Sequence, residues 1–141
     1  MTASDIEKAE RISRARSLIM AIAAIVLLIQ AVLGVGDEAN SMTPSLRHAI
    51  WGLMILLWLV ILATGGWLRL RRNVRDLVND EVALANRSAA LRTGFWTAMA
   101  LGLFLYFASL VWPIQLRDGL RILTDLAIAA ALIRYAWLEL R

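Results

Sequence analysis

An aspartate in an apolar stretch is the side chain of this sequence best placed to do chemistry. Asp125 is the only acid within any run long and apolar enough to cross a bilayer, and Arg121 precedes it by four residues. An ionisable group inside a membrane is a functional candidate, because its charge is costly to bury. Two interpretations stay open. The two residues form a structural ion pair near the outer end of a span, or Asp125 binds a proton or a substrate.

The remaining side chains form no catalytic pattern. His48 is the only histidine, and its loop adds only Asp37 and Glu38, too small a set for a metal or haem site. The absence of cysteine excludes thiol catalysis and iron–sulfur clusters. Ser109 has no histidine or lysine within its span to activate it, and no glycine-rich phosphate loop is present. We therefore predict a protein that is not an enzyme and holds no cofactor or metal.

Four apolar segments position these residues. A hydrophobic fraction of 60% in 141 residues is too high for a globule with a polar surface. Uncharged stretches of the length of a bilayer-crossing helix run over 17–36, 49–68 and 93–116, and a fourth apolar segment over 119–138 includes Asp125. We predict one domain, 1–141, that is an all-α integral membrane four-helix bundle with spans at about 17–36, 49–68, 94–113 and 119–138.

The distribution of basic residues predicts the orientation of the bundle. Of 15 lysines and arginines, only Arg47, Arg117 and Arg121 fall on the side of the two short loops. The others flank the opposite ends of the spans, which the positive-inside rule places in the cytoplasm. Both termini and the 71–92 connector are then cytoplasmic. Lysine occurs once, at Lys8, and this preference for arginine is typical of a bacterium with a GC-rich genome, so the membrane would be the bacterial inner membrane.

The connector between the second and third spans contains most of the cytoplasmic polar groups. Residues 71–92 include no glycine or proline and predict an amphipathic helix. Val82, Leu84 and Leu91 fall on its apolar side, where Glu81 and Arg92 break the pattern. Either the helix breaks near Asn86 and its halves fold together, or a partner or second copy supplies counter-charges. The residues we predict to bind a partner are Arg72, Arg75, Asp76, Asn79, Asp80, Glu81 and Arg87.

A longer pattern in this region carries a family resemblance. It consists of Arg71, Asn79, Asp80, Glu81, Ala85, Asn86, Arg87, Ala90, Gly94, Phe95 and Trp96. The pattern resembles one in small bacterial inner-membrane proteins that are often encoded beside a helix-turn-helix regulator of the Xre type. The resemblance covers about the second half of the chain and implies a four-helix membrane partner of a cytoplasmic transcription factor. It transfers no functional residue.

Small residues predict how the spans pack. Gly94, Ala98 and Gly102 recur every four residues in the third span, and Ala127 and Ala131 provide a complementary groove in the fourth. Such spacing lets two helices approach closely in a membrane. The contact is either within one bundle or between two copies in a homodimer.

Two functions therefore stay open. The first is a non-enzymatic membrane protein that contacts lipid and regulates a cytoplasmic protein through its connector, without direct binding of nucleic acid. The second is a small dimeric transporter or ion pathway that uses Asp125. A four-span chain of this length is similar to the small multidrug resistance transporters, but their mechanism needs a glutamate in the first span. Here the first span contains no acidic residue, and the polar residue near its outer end is Gln30.

Overall fold

The structure, a computed structural model, describes residues 3–33, 43–64 and 81–140. Within these ranges the backbone forms four helices and no strand. The helices are α1 (Ala3–Leu33), α2 (Pro44–Thr64), α3 (Glu81–Ser109) and α4 (Leu116–Leu140). The prediction of an all-α chain is confirmed, and each of the four predicted spans overlaps one helix.

Two of the helices have the length and composition of a membrane span. They are α2 over Ser45–Thr64 and α3 over Val82–Ser109. The apolar part of α1, Ser17–Val32, is shorter, and α4 includes Arg121, Asp125 and Arg134. By length and composition alone, two such helices are weak support for a membrane protein, because the core helix of a soluble protein meets the same test.

The course of α3 excludes one of the two explanations left open for the connector and shortens the predicted third span. The helix does not break near Asn86, because α3 runs without interruption from Glu81 into its apolar part. The predicted span 94–113 is also too long, because α3 ends at Ser109 and residues 110–112 form a turn. Pro113 explains this end, since a proline in a helix clashes with the carbonyl group four residues earlier.

Helix α4 occupies the centre of the described bundle and packs along both α1 and α3. Residues three and four apart form the buried face of α1, from Ser17 through Met20 and Leu27 to Ala31. The opposing face of α4 is equally regular, and its buried residues include Ile128, Leu132, Tyr135 and Ala136. This spacing is that of a helix with one enclosed stripe, so each helix exposes its other faces.

Gly94 marks the tightest approach of α3 to α4. A Cβ atom on Gly94 would lie 3.0 Å from Cβ of Ala131 and 3.1 Å from the carbonyl oxygen of Ala127. A Cβ atom on Gly102 would lie 3.4 Å from Leu123, so the two helices run antiparallel. The interpretation that these small residues pack within one bundle is confirmed for both glycines. A homodimer stays a prediction.

Helix α2 packs differently, through large side chains. Its inward stripe repeats at three- and four-residue intervals and consists of Trp51, Met54, Ile55, Trp58, Ile61 and Leu62. We call this set the α2 stripe. It packs on a core cluster that includes Leu27 of α1 and Leu132 of α4. Because bulky residues separate helix axes, the α2 backbone approaches α3 and α4 at few points.

Substitution of Gly94 by alanine tests the close contact. We expect Gly94→Ala to destabilise the bundle by about 1–3 kcal/mol, because the new methyl group meets α4 atoms that cannot rotate away. Gly52→Ala is the matched control, since a Cβ there meets no atom within 4 Å. The control should be neutral or gain up to about 1 kcal/mol of helix propensity. Unfolding followed by circular dichroism in detergent compares them, and equal stability of the two variants would contradict the contact.

Candidate functional site

Asp125 lies inside the bundle, in the third turn of α4, with a side chain that is 0% exposed. The indole Nε1 of Trp51, on α2, donates a hydrogen bond of 3.0 Å to Oδ1 of this carboxylate. The two residues are 74 positions apart, so the bond joins two helices that are distant in sequence. A hydrogen bond to a charged acceptor is worth more than one between neutral groups.

Arg121 provides the charge that faces Asp125. Its Nε lies 3.9 Å from Oδ2 of the carboxylate, and its side chain is 20% exposed. The predicted pairing of these residues over one helical turn is therefore confirmed. Oδ2 accepts no hydrogen bond within the described part of the chain, so the ion pair is loose. Trp51 supplies the directed contact to Asp125, and Arg121 supplies the nearby positive charge.

Trp51 is a residue of this site that the sequence does not predict. A tryptophan near the end of a span is usually assigned to the headgroup layer, where its amphipathic ring is favoured. The available signal was its place on the α2 stripe. Successive positions on this stripe are four, three and four residues apart, at Trp51, Ile55, Trp58 and Leu62. This helical spacing puts the indole of Trp51 on the face that the bundle encloses.

Five of the seven predicted partner-binding residues fall in a part of the chain that the structure does not describe. Arg72, Arg75, Asp76, Asn79 and Asp80 lie outside the described residues, and Glu81 is the first residue of α3. Arg87 is half-buried, on the helical face that also holds Ala90 and Gly94. The structure does not bring Arg87 together with Asp125, because the two lie on different helices toward opposite ends of the bundle.

The structure shows which face of the described part of the connector, 81–92, packs within the chain. Val82, Leu84 and Leu91, which the sequence places on the apolar side, are all exposed. Asn86 and Arg87 are half-buried instead. The close contact at Gly94 explains this difference, since it fixes the rotation of α3 and turns the face of Arg87 toward α4.

An open cleft of about 240 Å³ lies between the end of α3 and the start of α4. Gly102, Tyr106, Gly119 and Leu123 are among the residues that line it, and Asp125 is not one of them. The cleft is mainly apolar and does not open onto the carboxylate. In this conformation the buried acid is a polar contact between helices.

Compared with protein-family models, with curated proteins and with solved structures, the chain matches none of them. The resemblance to the partners of Xre-type regulators stays a prediction.

Removal of the carboxylate tests its structural role. We expect Asp125→Ala to destabilise the bundle by about 1–3 kcal/mol, because the Trp51 donor loses its acceptor inside the core. Asp125→Asn, which keeps an acceptor oxygen, should cost less. Asp118→Ala removes the same charge from a partly exposed position and should cost less than about 1 kcal/mol. Unfolding of the three variants in detergent is the measurement. Wild-type stability in Asp125→Ala would exclude the structural role.

Proposed function

We propose that this chain is a polytopic inner-membrane protein whose four helices cross the bilayer, with both termini and the connector in the cytoplasm. The observation that carries the proposal is the exposure of large apolar side chains on every helix. Examples are Ile22 on α1, Leu53 on α2, Phe104 on α3 and Ile133 on α4. Soluble monomers rarely expose contiguous apolar patches beyond a few hundred Å². Lipid is the solvent that such a surface suits.

The low burial of α2 and α3 adds to this argument. Only 11% of the apolar window of each helix is buried within the chain. The apolar core helix of a soluble protein would be mostly buried. This difference favours a lipid-facing position for both helices over a place in a soluble core.

The central position of α4 supports its assignment as a span despite its charges. Charged residues within membrane helices almost always face the bundle interior or a partner. Asp125 is enclosed, and Arg121 lies beside it with most of its surface covered. Arg134 is exposed about one turn before residue 138, the end of the predicted span, where a long side chain can reach the headgroups.

The biochemical function we propose is non-enzymatic binding of a cytoplasmic protein through the 71–92 connector. Residues 71–92 contain five arginines and three acidic residues, and this net charge of +2 favours an acidic binding surface on the partner. The resemblance described above suggests that this partner is a transcriptional regulator. The continuity of α3 from Glu81 supports a regulatory role, because one rigid helix joins the end of the connector to the contact at Gly94.

A dimeric transporter or ion pathway that uses Asp125 is the alternative. It requires a route from the carboxylate to solvent and a second copy of the chain. The enclosure of Asp125 and its bond to Trp51 favour a structural contact instead. We therefore rank partner binding first.

Cysteine mapping tests the topology, because the chain has no cysteine of its own. We expect a membrane-impermeant maleimide to label Asn40→Cys and Gln115→Cys in spheroplasts, because both residues lie in outer loops. Asn79→Cys should react only after the membrane is opened. Labelling of Asn79→Cys in intact spheroplasts, or a chain that stays in solution without detergent, would overturn the membrane proposal.

Charge reversal tests the binding surface. We expect Arg75→Glu with Arg87→Glu to reduce co-purification of a cytoplasmic protein at least tenfold, because attraction to an acidic partner becomes repulsion. The matched control is Arg47→Glu with Arg117→Glu, which makes the same charge change on the proposed outer side. Cross-linking in cells followed by affinity purification quantifies capture. Equal capture by both double variants would remove the connector as the docking site.

A further inference from the structure

The attachment of α2 to the bundle differs in kind from that of α1 and α3. At Gly94, α3 meets α4 through atoms of the backbone and of small side chains, and α1 packs along the length of α4. The α2 stripe consists of large side chains, and the α2 backbone comes near the other helices at few points. The bundle therefore has a closely packed part, formed by α1, α3 and α4, and a more loosely attached helix.

The Trp51–Asp125 hydrogen bond is the directed contact in this attachment. It joins the indole Nε1 to a carboxylate oxygen that is wholly enclosed. Trp58 lies two turns further along the same stripe and forms no hydrogen bond in the described structure. The two tryptophans are thus similar in size and placement and differ in their polar contact.

We propose that α2 is a separable helix of the bundle, held in place by the Trp51–Asp125 bond and able to leave α1, α3 and α4 packed together. The energetic part of this inference rests on the proposed membrane location. In lipid, apolar side chains of α2 that leave the bundle meet acyl chains that are equally apolar, so the hydrophobic effect does not hold α2 in place. Packing of the α2 stripe, the hydrogen bond and the cost of uncovering the Asp125 carboxylate remain to oppose separation.

Separation of α2 would change the chemistry that the bundle presents. The attached helix encloses Asp125, and its departure removes the Trp51 donor from Oδ1. The carboxylate and Arg121 would then face the space that α2 had filled. Movement of α2 would thereby expose the Asp125 carboxylate, which the bundle otherwise encloses, beside the guanidinium group of Arg121.

Reactivity of buried cysteines measures the separation. Ile55 lies on the α2 stripe and is 7% exposed, whereas Leu53, on the opposite face of α2, is 70% exposed. We would attach a small membrane-permeant maleimide to Ile55→Cys, with Leu53→Cys as the calibration for depth and reagent access. Ser17→Cys, at a wholly buried position of α1, reports loss of the closely packed part. The full chain in detergent micelles is used throughout.

Trp51→Phe should raise the labelling rate of Ile55→Cys about tenfold or more, because the opened population grows when a bond to a charged acceptor is lost. Trp58→Phe removes similar volume from the same stripe without removing a hydrogen bond and should raise the rate less. Asp125→Leu should act like Trp51→Phe, and the two together should add little, since both remove one bond. Labelling at Ser17→Cys should stay slow in every variant that keeps the closely packed part.

Equal acceleration by Trp51→Phe and Trp58→Phe would overturn the proposal, and so would rapid labelling at Ser17→Cys together with Ile55→Cys in Trp51→Phe. If Asp125→Leu alone unfolds the bundle and exposes Ser17→Cys, the comparison of Trp51→Phe with Trp58→Phe still decides whether the hydrogen bond holds α2 in place. Failure of the membrane proposal would be seen separately, as a chain that is soluble without detergent. The labelling comparison would then show whether the bond holds α2 in water.

Discussion

A carboxylate inside an apolar bundle is stable only if other parts of the fold bring polar groups to it. An unpaired charge at such a position is strongly destabilising, so polar partners must be brought to it. In this chain one partner comes from the same helix, Arg121 one turn earlier, and the other from α2, through Trp51. The depth of Asp125 in α4 therefore constrains how α2 is rotated and how far along α4 it lies.

Two ways of packing helices are combined around this constraint. Between α3 and α4, the absence of a side chain at Gly94 lets backbones approach, and dispersion contacts are dense. Between α2 and the rest, tryptophan and other large residues fill the space between more distant backbones. The first kind depends on a missing atom, and the second depends on side-chain volume and one directed bond. A single added methyl group is therefore costly at Gly94 and harmless at Gly52.

Much of this architecture could be predicted from the residues. The four apolar segments locate the four helices, and the four-residue spacing of Gly94, Ala98 and Gly102 indicates a close helix contact. The separation of Arg121 from Asp125 indicates their pairing. The Trp51 contact was beyond such reasoning, because a bond between residues 74 positions apart depends on how two helices are placed. The rotation of α3 about its own axis was also beyond such reasoning. Apolar periodicity shows which side chains share a face, but not whether protein or lipid covers that face.

The uninterrupted course of α3 has a consequence for the proposed membrane location. Arg87 and Arg92 fall within the 28 residues from Val82 to Ser109, so the uncharged part of this helix, 93–109, is about 26 Å long at 1.5 Å per residue. A hydrocarbon core is about 30 Å thick. In the proposed membrane, a helix with so short an uncharged part is accommodated by local thinning of the lipid or by arginine side chains that extend to the headgroups. The first turns of α3, which carry Arg87, would then lie at the headgroup layer as a rigid continuation of the same helix.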